Sequence, residues 1–103
     1  MTSAVRVPVL RNDGENAMHI EIIFNKSAFK HGVTEDDIRS ALTTFLLDIA
    51  LDDNDDGYDK FLIIGFDTKG NIVELMYNLV DEHNINVFHA MKCRKEYLKL
   101  LER

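Results

Sequence analysis

Apolar and polar residues alternate in two short stretches near the start of the chain, residues 5–10 and 19–24, with Asn12, Asp13 and Gly14 between them. Alternation of period two places every second side chain on one face of a strand, so the pattern predicts a strand, a turn and a second strand. Residues 26–30 predict a short helical turn, stopped at Gly32 because glycine enters the left-handed region without a Cβ penalty. The period changes at Thr34. Ile38, Ala41, Leu42, Phe45 and Leu46 recur at helical spacing and predict an amphipathic helix over residues 35–47. Thr34 reads as its N-cap, with Asp37 completing a weaker form of the capping box, and Glu35, Asp36 and Asp37 suit the positive end of the helix dipole.

Residues 49–51 predict a short strand ahead of the segment Asp52-Asp53-Asn54-Asp55-Asp56-Gly57. Residues 61–66, 72–80 and 85–90 then predict three strands, separated by turns at Lys69-Gly70-Asn71 and at residues 81–84. These connections are too short for parallel crossovers, so the strands form an antiparallel meander. Residues 92–102 close the chain as a helix, with Cys93, Tyr97, Leu100 and Leu101 on one side and Lys92, Lys95, Lys99 and Arg103 on another. The expected fold class is α+β: a small single domain with a mainly antiparallel sheet, two principal helices and a short helical turn. Residues 1–18 read as an N-terminal strand or tail ahead of a domain over residues 19–103. Both faces of the 72–80 strand are largely apolar, interrupted by Glu74 and Asn78, so its second face is covered either by the N-terminal hairpin or by another chain.

Charge sharpens this picture. The chain has 103 residues, 46% of them hydrophobic, and a formal net charge of −6. The apolar fraction excludes wholesale disorder, and no apolar run approaches the roughly 20 residues that cross a bilayer, so no membrane partner is expected. An acidic total argues against a protein that coats nucleic acid by bulk charge. The total hides a split, however: residues 34–59 carry a net −8 and residues 92–103 a net +3. A cationic C-terminal end steers an anionic ligand locally, or simply complements a helix dipole. Residues 1–10 lack the apolar core of a secretory signal, and one cysteine cannot form an internal disulfide, so the expected location is cytoplasmic.

Several side chains carry chemistry. Arg94 projects with the apolar set of the last helix, near Leu98 and Leu101, where a guanidinium needs either a carboxylate partner or a cleft that binds phosphate. His89 ends the last strand just before Lys92, Arg94 and Lys95, and a titratable imidazole beside fixed cations suits phosphodiester chemistry; the alternative is a hydrogen-bonded structural histidine. Cys93 has no evident activating partner and reads as a buried apolar thiol. Asp52, Asn54, Asp56 and Gly57 match the first half of a calcium loop, but Ile63 stands where its bidentate Glu belongs. The four histidines show no zinc spacing, and no metal or other cofactor is expected.

Phe24-Asn25-Lys26, then Lys30-His31-Gly32-Val33-Thr34 before a helix, then Phe61-Leu62-Ile63-Ile64-Gly65, Gly70 and a long apolar strand, and finally His89-Ala90-Met91-Lys92-Cys93-Arg94 with Tyr97, together resemble the BrnT-like toxins. These belong to the RelE-like ribonucleases of bacterial type II toxin-antitoxin modules. The likeness spans about residues 19–101. It implies metal-free RNA cleavage, in which a ribose 2′-OH attacks the adjacent phosphate, and a cognate antitoxin as protein partner, with RNA or the ribosome as target. On the matching positions it implies Lys92 and Arg94 as phosphate stabilisers, His89 as acid or base, and Lys95 and Tyr97 as further substrate contacts.

Three functional readings follow. One is a toxin-type endoribonuclease neutralised by its antitoxin. Another is a non-catalytic protein-binding or homodimerising module on the same scaffold. The third is a small-ligand or calcium-binding protein that uses the acidic segment.

Overall fold

A computed structural model describes residues 20–51 and 59–102. Its strands are β1 (Glu21–Phe24), β2 (Leu47–Leu51), β3 (Lys60–Phe66), β4 (Ile72–Asp81) and β5 (Asn84–Lys92). A 3-10 turn (Lys26–Phe29) and helix α1 (Glu35–Thr43) lie between β1 and β2, and helix α2 (Lys95–Leu98) with a 3-10 turn (Lys99–Glu102) ends the described chain. The strands form one sheet in the order β1-β5-β4-β3-β2. The expected three-stranded meander is β3-β4-β5, and β2 extends it antiparallel to β3. β1 instead lies parallel to β5, with Glu21 opposite Asn84 and Phe24 opposite Val87. Parallel neighbours need a long connection, and everything from α1 to β4 supplies it. The result is the expected α+β domain, built on a mixed sheet.

α1 covers one face. Ile38, Ala41 and Leu42 of the helix join Phe61, Ile63, Val73, Leu75, Tyr77, Ile85, Val87 and Ala90 of the sheet in the main core. The helix sits close at Gly65, where a Cβ would come 2.4 Å from the Ala41 carbonyl oxygen. The second face buries Leu62, Ile64 and Cys93, with Leu47, Ile49, Met76, Tyr97, Leu98, Leu100 and Leu101 packed around them. The C-terminal helix and turn therefore cover part of that face themselves. The predicted strand at residues 5–10, the Asn12-Asp13-Gly14 turn and the calcium-like segment at residues 52–57 lie outside the described residues.

Capping chemistry explains the start of α1. The Thr34 hydroxyl accepts the Asp37 backbone N–H at 3.1 Å, and the Asp37 carboxylate accepts the Thr34 N–H at 3.2 Å. Gly32 before it has φ +85°, as a helical-turn stop requires.

The other end corrects the sequence reading. The helix ends at Thr43 rather than at 47, and Leu47 opens β2. The Thr43 and Thr44 hydroxyls both donate to the Ser40 carbonyl, and the Thr44 hydroxyl also accepts the Phe66 N–H. Threonine side chains thus redirect the chain onto β3, and Phe45 and Leu46 end up exposed. A second correction concerns residues 90–94. β5 continues through Lys92, and α2 starts only at Lys95 with Arg94 as its N-cap, because the Cys93 N–H still donates to the Ile72 carbonyl of the sheet.

Candidate functional site

Glu74 lies in the middle of β4 and is fully buried. A carboxylate taken out of water needs donors, and four groups provide them. The Arg94 backbone N–H reaches Glu74 Oε1 at 2.9 Å, and Arg94 Nε reaches Oε2 at 3.0 Å. Arg94 Nη2 lies 2.6 Å from Oε2, and His89 Nε2 lies 2.8 Å from the same oxygen. Burial pushes the Glu74 carboxyl up, but the hydrogen bonds from Arg94 and His89 outweigh it and hold the group below the usual carboxylate range.

The geometry rests on a β-bulge. Along β5, Val87 sits opposite Tyr77 while His89 sits opposite Met76, so Phe88 is an extra residue without a place in the register. Simple alternation from Ile85 and Val87 would send His89 toward α1. The bulge reverses the faces: Ala90 enters the α1 core and His89 turns to the face of Glu74.

Arg94 resolves its two sequence alternatives in favour of a carboxylate partner, with part of the group left available. Its side chain remains 40% exposed. Nε and Nη2 engage Glu74, while Nη1 makes no hydrogen bond among the described residues. Its guanidinium carbon stands 5.2 Å from the centre of the Tyr97 ring, a cation–π contact.

A residue outside the sequence-derived set completes the cluster. His31 is exposed, and its ring centre lies 5.9 Å from that of His89 at a steep angle. The 3-10 turn sets the path of the loop carrying it: the Ser27 hydroxyl donates to the Phe88 carbonyl at 2.6 Å, and the Ser27 N–H donates to the Asn25 side chain. The docking carbonyl thus belongs to the bulged residue itself. Nothing in linear spacing brings residue 31 to residue 89. Glu74 did leave a signal, as a charge interrupting an apolar strand that needs a cationic partner.

Lys92 is not part of this cluster. The register pairs it with Val73, on the α1 face at the end of β5, where it is exposed. Lys95 is exposed at the start of α2, and Tyr97 is half-buried beneath Arg94. Cys93 is buried, and burial first, with the charge of Glu74 second, pushes its thiol up to about 11, so it is a poor nucleophile. Among the described residues no three His, Cys, Asp or Glu side chains gather into a metal-binding set.

The site is therefore a buried carboxylate holding an imidazole and a guanidinium, with a second imidazole alongside and exposed lysines nearby in sequence. No family model, no curated protein and no solved structure matches the chain.

Proposed function

We propose that the protein is a metal-independent endoribonuclease of the BrnT/RelE-like toxin type, neutralised by a cognate antitoxin. The observation that supports this most is the pairing of His31 and His89 beside the partly free guanidinium of Arg94. RNA transesterification needs one group to take the 2′-OH proton, another to give a proton to the departing 5′-oxygen, and a cation for the charge that builds on the phosphate. The new bond joins the 2′-oxygen to phosphorus and the P–O5′ bond breaks, leaving a 2′,3′-cyclic phosphate and a 5′-hydroxyl. Two imidazoles divide the proton transfers, and Arg94 Nη1 meets the phosphate. Lys95 and Lys92 attract the RNA backbone.

The test is digestion of RNA by purified protein in the presence of EDTA. Cyclic phosphate ends are expected, and His31→Ala and His89→Ala should each lower the rate by about 10²–10⁴-fold while the variants stay folded. Expression alone should arrest growth, and the antitoxin should relieve it. Folded wild type that leaves RNA intact, or cuts it only with added metal, would sink the proposal.

A second reading is a non-catalytic protein-binding or homodimerising module. It is favoured by the closure of Arg94 on Glu74, which satisfies much of its charge, and by the exposure of Ile23 (43%) and Val80 (53%). It predicts harmless expression and an assembly state altered by Ile23→Asp or Val80→Asp, read by light scattering.

A further inference from the structure

We infer that Glu74 is a positioning residue that holds His89 with its proton on Nε2, so that Nδ1 is the nitrogen which exchanges protons with a substrate. The assignment of Nδ1 as reactive rests on the ribonuclease reading above, whereas the tautomer does not.

The proton on the 2.8 Å contact between His89 and Glu74 has one possible owner. Both Glu74 oxygens already accept hydrogen bonds from the guanidinium and the backbone of Arg94. A carboxylate in that company is an acceptor only. The imidazole must therefore be the donor, and a neutral histidine that donates through Nε2 carries its lone pair on Nδ1. Among the described residues no hydrogen bond occupies that atom, and the His89 side chain is 20% exposed, so a ligand can reach the ring.

The same carboxylate orients the guanidinium. Glu74 takes the Nε and Nη2 edge of Arg94, which leaves Nη1 and the outer proton of Nη2 as a second fork. One fully buried residue thus presents a proton acceptor and an anion-binding fork together, and both are partly open to solvent. Structural burial alone does not require both partners. A guanidinium would neutralise the carboxylate by itself, and the imidazole is an additional ligand on the oxygen shared with Nη2. Its recruitment depends on the Phe88 bulge, a local irregularity of the kind found beside active sites.

Nitrogen-proton correlation NMR of ¹⁵N-histidine-labelled protein reads the tautomer directly. In wild type, at a pH where His89 is neutral, the expected spectrum shows a protonated Nε2 and an unprotonated Nδ1. Glu74→Gln keeps the shape of the side chain but offers an amide that also donates, so the bias toward Nε2–H should be lost. The kcat for RNA should fall about tenfold or more in this variant, with a smaller change in KM.

A wild-type spectrum dominated by protonated Nδ1 overturns the inference without any variant. An unchanged tautomer in folded Glu74→Gln overturns it too, as does an unchanged kcat. A tautomer that shifts as expected in a protein that never cleaves RNA supports the positioning role and rejects the ribonuclease reading, so the two failures are separable.

Discussion

Two buried acids, Asp37 and Glu74, show how a single carboxylate organises its surroundings. Asp37 closes the capping box of α1 and also accepts both the hydroxyl and the backbone N–H of Thr68, at 2.7 and 3.1 Å. Those Thr68 hydrogen bonds, aided by Thr34 and opposed by burial, hold its carboxyl far below the usual carboxylate range. A depressed pKa in the folded state contributes stability that is fully present above the unfolded value, near 3.9, and is lost as pH falls toward the folded one. Asp37→Asn should therefore cost about 1–2 kcal/mol at neutral pH, and the difference from wild type should shrink below about pH 4. Urea melts at pH 7 and pH 3 check this; an equal loss at both would contradict it. The capping half of this role was legible in Thr34 and Asp37. The Thr68 half was not, because a contact across 31 positions leaves no local pattern.

Among the elements, α1 packs closely against β3 at Gly65. Gly65 follows the apolar run Phe61-Leu62-Ile63-Ile64 in β3, and the Ala41 backbone occupies the space a side chain would fill. Gly65→Ala should push the helix off the sheet and destabilise the fold by about 1–3 kcal/mol, read as a lower Tm and urea midpoint. Gly70→Ala is a useful contrast: space is open around it, and its cost comes from φ +86° instead. Helix and strand positions were readable from periodicity, but two boundaries and one facing were not. Phe45 and Leu46 fit the helical stripe and still lie outside it, because Thr44 and Phe66 divert the backbone into β2. Lys92 fit the last helix and lies in β5. His89 fit the wrong face of its strand, because a bulge cannot be seen in an alternating pattern.

For the whole molecule, the net charge of −6 is less informative than its distribution. Among the described residues no helix is long and apolar enough to cross a membrane. The cationic residues Lys92, within the His89-to-Arg94 segment, and Lys95, just after it, are exposed. If they meet RNA phosphates, as proposed, the double variant Lys92→Ala/Lys95→Ala should weaken binding evenly across RNA sequences. The slope of log affinity against log salt should flatten by about 0.7 for each single-strand phosphate contact removed. Anisotropy titrations at several salt concentrations measure this, and an unchanged slope would remove both lysines from the interface.

Local pattern by itself determined the strands among the described residues, the start and cap of the first helix, the α+β class and the need of Arg94 for an anionic partner. These follow from periodicity and from the high cost of an unsatisfied charge, both of which act within a few residues. Tertiary structure alone decided that β1 runs parallel to β5, that His89 turns toward Glu74, and that His31 stands beside it. Those outcomes depend on pairing between distant segments and on one inserted residue, Phe88, which reverses the faces of everything after it. Along the sequence the negative charge is concentrated in residues 34–59, while the buried acid at the site, Glu74, holds an imidazole and a guanidinium in place.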